Sequence, residues 1–292
     1  MGWPTFPLTC AETGMRSADQ INHDPRTDTD SRIGVVGEGP GEFRQGPGRL
    51  FALQNDTTAV AEWAGVPLVF MHRNRMLRHN ARAAGLPIGV DTVGNGHWFV
   101  VDISSNSRFT DRDGRGRLGY SRTIVRTTRE FEILDSIATI GGGEIVSAPP
   151  SGGRGRGTLR THKPPEQAIA FSDGWLAIAY LEPYRVDWLQ PTGEWIRGAA
   201  LSQDTLAFER TDYGTVIGAP DGRVLIRRSV RSAPERNTVR YDVVDRSGRL
   251  NGFFLVAQNE YVIGPGRQRL YIVTEGPRGL KGVRTVKWPP SP

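Results

Sequence analysis

The stretch SDGWLAIAYLEPYRVDWLQPTGEWIR, residues 172–197, decides how the chain is read. An Asp-Gly turn opens it. The apolar run Trp175–Tyr180 predicts a strand, and Arg185–Leu189 alternates polar and apolar residues as a second strand does. QPTG then predicts a tight turn, with glycine supplying the positive φ, and Glu194–Arg197 returns as a third strand. Two other stretches share this form: NDTTAVAEWAGVPLVFMHRNRMLRH (55–79) and PDGRVLIRRSVRSAPERNTVRYDVVDRSGRLNG (220–252). In the latter, Val224–Ile226 and Tyr241–Val244 are predicted strands, and Arg246–Gly248 is a hairpin. Asp173 and Asp221 are 48 residues apart, and Asp56 and Asn95 are 39 apart. The interval from Asn95 to Asp173 holds one long or two degenerate units, with strands near Ile124 and Phe131 and a turn near Arg129. A last unit, GPGRQRLYIVTEGPRGLKGVRTVKW, covers 264–288.

Repeats of roughly 40–50 residues with three or four short strands each are propeller blades in sequence form. A single blade cannot bury both faces of its sheet, and stacking blades around an axis buries them. Helical repeats of this length would show a 3.6-residue period, which is missing. The bulk numbers agree. The 292 residues are 37% apolar, with 36 glycines and 20 prolines, so turns are many and long helices few. No apolar run approaches the ~20 residues of a membrane span.

The segment IGVVGEGPGEFRQGP, Ile33–Pro47, is rich in glycine and could cradle a phosphate. No Gly-Lys-Ser/Thr follows it, and Glu42 stands where a dinucleotide fingerprint needs its third glycine. GEGPGEF instead resembles the inter-blade signature of NHL-like six-bladed β-propellers. The units at 172–197 and 220–252 and the ending YIVTEGPRGLKGVRTVKW resemble the blades of that family, so the similarity runs over about 33–288. The resemblance implies a propeller whose first blade is incomplete, because only a polar tail precedes the signature. It also implies an exported protein. It implies no particular activity, because one fold carries many functions.

Several residues have the chemistry of a site without its pattern. Asp111 and Asp113 begin a calcium loop, but Arg122 stands where its closing glutamate belongs. Ser172 lies near a G-x-S-x-G shape, but Ala170 replaces the first glycine and a strand follows rather than a helix. His72 and His79, read as the two ends of one strand, lie about 23 Å apart and share no metal. His97 is the one histidine expected near an inner strand. Cys10 is alone, so neither an intrachain disulfide nor a cysteine zinc site can form. TFPLTCAETG has the outline of a lipoprotein cleavage site, but Pro7 takes the place of leucine and no charged start precedes it.

The net charge is +6, and lysine appears only at 163, 281 and 287. Arg154, Arg156, Arg160 and Lys163 form a basic stretch without an acid, fitted to an acidic protein surface or lipid headgroups. It lacks the interleaved aromatics of an RNA-binding tract. Trp3, Phe6 and Leu8 give the tail an apolar tip that docks on the body or on a partner. Of the tryptophans, Trp63, Trp98, Trp175, Trp188 and Trp195 fall in predicted strands, most as inter-blade core and one or two as anchors for a partner.

The expectation is an all-β propeller of five to six blades at 33–292 with an extended arm at 1–32. Its expected role is non-catalytic: a scaffold, or an extrinsic subunit of a membrane-associated complex whose partners are other protein subunits, with no cofactor. The competing classes are a lyase or hydrolase at the central channel, and a carbohydrate or peptide sensor. As written, the sequence has no signal peptide, which places it in the cytoplasm or peripheral to a membrane, or in the periplasm if an exported start precedes it.

Overall fold

A computed structural model describes residues 7–8, 21–24, 29–32, 47–53, 57–62, 68–72, 75–79, 85–102, 107–112, 115–148, 158–163, 166–181, 183–201, 216–229, 238–265, 269–275 and 281–288. All regular structure among them is β, in six antiparallel sheets. The first sheet holds β1 (Pro7–Leu8), β2 (Ile21–Asp24) and β3 (Thr29–Arg32). The second holds β4 (Pro47–Ala52), β5 (Thr57–Glu62), β6 (Leu68–His72) and β7 (Arg75–His79). The third holds β8 (Leu86–Val90), β9 (Trp98–Asp102), β10 (Ser107–Arg112), β11 (Arg115–Thr127), β12 (Ile133–Ala148) and β13 (Thr158–Lys163). The fourth holds β14 (Gln167–Ala170), β15 (Leu176–Leu181), β16 (Tyr184–Leu189) and β17 (Trp195–Ile196). The fifth holds β18 (Val216–Gly218), β19 (Val224–Ser229), β20 (Thr238–Val244) and β21 (Leu250–Ala257). The sixth holds β22 (Glu260–Pro265), β23 (Arg269–Glu275) and β24 (Lys281–Lys287). Strands pair in chain order in the second, fourth, fifth and sixth sheets, the up-and-down order of a propeller blade. The chain is all-β and of propeller type.

One hydrogen-bond pair recurs at the hairpins. In QPTG, Gly193 N–H donates to Gln190 O and Gln190 N–H to Glu194 O. Gly248 and Asp245, then Gly174 and Phe171, then Gly222 and Ala219, repeat this scheme, and all four glycines have positive φ. The turn Thr128–Glu132 repeats it too, but Phe131 stands at the glycine place with φ of 69°. The turn expected near Arg129 is thus present, with Phe131 inside it and the following strand starting at Ile133. The Phe131 ring is buried against Trp98, with centroids 5.1 Å apart, and that packing offsets the ~1–2 kcal/mol that a left-handed residue costs.

The chain divides into two compact units. The first comprises residues 1–104 and 123–138. Its core joins the second and third sheets through Ala59, Val90, Trp98, Val100, Val125 and Phe131. The second unit comprises residues 105–122 and 139–292 and has two cores. Ala177, Tyr184, Val186 and Trp188 of the fourth sheet pack on Val224, Ile226 and Val244 of the fifth. Leu225, Tyr241 and Val243, on the opposite face of the fifth sheet, pack with Val262, Leu270 and Ile272 of the sixth and with Trp288. The fifth sheet is thus apolar on both faces, as a stacked blade must be.

The structure adds detail at several places. Within residues 1–32, expected as an extended arm, the described residues form the first sheet, in which β1 is Pro-Leu and β2 and β3 are polar. His72 and His79 sit on two hairpin strands rather than on one, with His72 opposite Arg75 and His79 opposite Val69. Asp111 pairs with Gly116 and Arg112 with Arg115, so the stretch rejected as a calcium loop lies in a hairpin. The glycine-rich stretch 33–46 lies outside the described residues, as does Trp63.

Candidate functional site

Four of the expected contact residues, Trp3, Phe6, Arg154 and Arg156, lie outside the described residues. For Leu8, Arg160 and Lys163 the backbone is described. Leu8 lies on β1 opposite Ile21. Arg160 and Lys163 lie on β13, opposite Val146 and Glu144 of β12, so the basic stretch ends in a strand instead of being loop throughout. Ser172 sits in the exposed turn before β15, and His97 just precedes β9. Among the described residues, no three His, Cys, Asp or Glu side chains gather as metal ligands would.

Several charged side chains of the second unit are engaged within its sheets or between them. Asp242 on β20 is fully buried. Tyr184 Oη donates to its Oδ2 at 3.0 Å across the seam, Arg228 reaches the same oxygen at 3.1 Å, and Arg240 Nε donates to Oδ1 at 2.6 Å. Burial, followed by the facing Asp242 charge, pushes the Tyr184 phenol far above its ordinary range, so it stays a hydrogen-bond donor at any working pH. Asp187 holds the equivalent place on β16, six residues before its turn glycine. It accepts from Arg185 Nε at 3.0 Å and from Gly198 N–H at 3.1 Å. Arg-x-Asp on the third strand is therefore repeated in the fourth and fifth sheets.

A second repeated contact occupies the hairpin end. Arg246, in the β20–β21 turn, donates to Asp173 in the Asp-Gly turn of the preceding sheet at 2.6 Å and lies 4.6 Å from the Trp175 ring centre. One sheet later the chemistry is reversed. Trp288 Nε1 donates to Asp221 at 2.6 Å, and Arg223 lies 4.9 Å from the Trp288 ring centre. Burial alone would raise the Asp221 carboxyl, but the hydrogen bonds from Arg223 and Trp288 outweigh it and hold the group below the usual range. A cation and an aromatic ring meet at both latches from exchanged positions.

Among the described residues, large apolar groups stay exposed on several strands. Trp195 on β17 is 43% exposed, Phe253 and Leu255 on β21 are 53% and 41% exposed, and Ile133, Leu134, Leu250 and Val283 are also exposed. Trp98 and Trp188 are core, as sequence reasoning held for most strand tryptophans, whereas Trp195 is not. The exposure of β21 was not legible in sequence, because its apolar run looks like any buried strand.

No protein-family profile matches the chain, and no curated protein is similar to it in sequence. Several solved structures are similar in backbone. A member of the DUF4221 family from Bacteroides vulgatus is 10% identical over 92% of this chain and 86% of its own, with a TM-score of 0.46. Puromycin hydrolase is 11% identical over 92% of this chain and 48% of its own, with a TM-score of 0.38. A streptogramin B lyase is 8% identical over 82% of each chain, with a TM-score of 0.36.

Proposed function

We propose that this chain is a non-catalytic, NHL-like propeller that works as a protein-interaction scaffold, an extrinsic subunit of a larger membrane-associated assembly. The observation that carries this reading is the distribution of side chains in the second unit. Asp173, Asp187, Asp221, Asp242 and Glu260 are engaged by arginines in or between sheets, while large apolar groups on β17, β21 and β24 are exposed among the described residues. Most of these acid–arginine contacts brace a single sheet and one, Arg246 with Asp173, joins two, while exposed aromatic and aliphatic groups anchor partners. The positive net charge steers the chain toward acidic protein surfaces or anionic headgroups. The basic stretch at Arg154, Arg156, Arg160 and Lys163 and the apolar tip at Trp3, Phe6 and Leu8 serve as further contacts.

The test is affinity recovery of the tagged full chain in mild detergent, with mass spectrometry of what accompanies it. A stoichiometric set of subunits is expected. Recovery as a free monomer from the soluble fraction overturns the reading. Charge reversal of Arg154, Arg156 and Arg160 to Glu is expected to weaken that association about tenfold or more at low salt, with a smaller difference at high salt. An unchanged yield at low salt removes this stretch from the contact.

A further inference from the structure

The last strand of the fifth sheet differs from the other outer strands. A sheet edge offers unpaired N–H and C=O groups, and proteins guard such edges with charge or keep them short. The last strands of the other sheets follow this rule. β3 carries Asp30 and Arg32, β7 Arg75 and Arg78, β13 Arg160 and Lys163, and β24 Lys281, Arg284 and Lys287. β17 has only two residues, between Glu194 and Arg197. β21, LNGFFLVA, has eight residues and none is charged. Among the described residues it pairs only with β20.

The bulge in β21 sharpens this. Val243 pairs with Gly252 and Val244 with Leu250, so Asn251 is the extra residue. Leu250 thereby shares a face with Phe253 and Leu255, which pair with Asp242 and Arg240. The result is an apolar ledge beside the seam cluster. Arg240 stacks 3.8 Å from the Phe253 ring centre, and Arg228 joins it on the one buried carboxylate of Asp242. Two guanidiniums thus face a single acid, and the exposed Arg249 adjoins the strand.

We propose that β21 accepts an extended peptide segment of a partner protein as an added strand, one that alternates apolar and acidic residues. Main-chain hydrogen bonds supply the pairing, Phe253 and Leu255 supply apolar contact, and the excess of arginine selects for acid. Charge decides the occupant. A second copy would set one arginine-rich edge beside another, whereas an acidic segment meets complementary charge. This inference rests on the interaction-scaffold reading and gives that reading a site and a partner chemistry.

The test uses the full chain and a fluorescent octapeptide with Val, Glu, Val and Glu at alternate positions and Thr between them, followed by anisotropy. Saturable binding is expected below about 1 mM, weaker at higher salt. A Lys-for-Glu peptide is expected to bind at least tenfold more weakly, as is the original peptide to the F253D/L255D double variant. Both side chains are exposed, and an unchanged thermal transition and circular dichroism spectrum would show that the variant folds. Absence of saturable binding, equal binding of the two peptides, or equal binding by the double variant overturns the proposal. So does sedimentation of the wild type as a dimer that the double variant converts to monomer. If these arms fail while the double variant still recovers its subunits from mild detergent, the edge proposal falls and the scaffold reading stands. A free monomer in that same recovery removes the scaffold reading itself.

Discussion

Gly193 and Gly248 hold the same place in successive blades, with φ of 90° and 74°, yet the space around them differs. Nothing lies within 4 Å of a Cβ added at Gly193. At Gly248 such a Cβ would overlap the backbone of Gly198 and approach Val186 O at 2.9 Å, because two segments meet there at glycines without side chains. Ala at 193 pays only the left-handed conformational cost of ~1–2 kcal/mol, whereas Ala at 248 must also push backbone apart. Urea unfolding should show G248A less stable than G193A by at least about 1 kcal/mol; equal losses would mean that the contact yields easily. The four glycine turns were legible in sequence. Phe131 was not, because its place in the turn is held by packing on Trp98, 33 residues away, and no local rule announces a phenylalanine at a glycine position.

Elements were legible where a strand is bounded by its turn signals, as in β15, β16, β19 and β20. Their pairing across seams was not. Tyr184 and Asp242 are 58 residues apart, and Asp173 and Arg246 are 73 apart, so only stacked sheets bring them together. The sixth sheet shows how such a contact ties one element to itself. Glu260 accepts both forks of Arg284, at 2.7 and 2.8 Å, together with Thr274 Oγ1 and Ala257 N–H. The Arg284 guanidinium, with those lesser donors, holds the carboxyl down at about 2. A depressed folded-state pKa contributes stability that is fully present above the unfolded value near 4.5 and is lost as pH falls toward 2. Arg284 is 46% exposed, so screening reduces the contribution to on the order of 1 kcal/mol. Unfolding of E260Q beside the wild type should show its largest deficit at pH 6 and a shrinking one toward pH 3. A deficit independent of pH would assign the loss to shape rather than charge.

At the scale of the molecule, the second unit is a stack in which the fifth sheet is the shared neighbour. Its two apolar faces bind the fourth and sixth sheets through separate cores, and each junction has its own latch at the hairpin end. Stability in such an array passes from neighbour to neighbour, so damage at one end should stay near that end. Trp288 tests this, because it is buried in the core shared with the sixth sheet and also closes the Asp221 latch. Replacing it with alanine should cost about 3–5 kcal/mol at that junction, a large part of an ordinary domain's stability. Hydrogen exchange followed by mass spectrometry should then show β22, β23 and β24 losing protection first, while β14, β15 and β16, held by Tyr184, Trp188 and the Arg246 latch, keep theirs. Uniform loss across all these strands would mean that the unit unfolds as one piece and that the latches act on the whole stack.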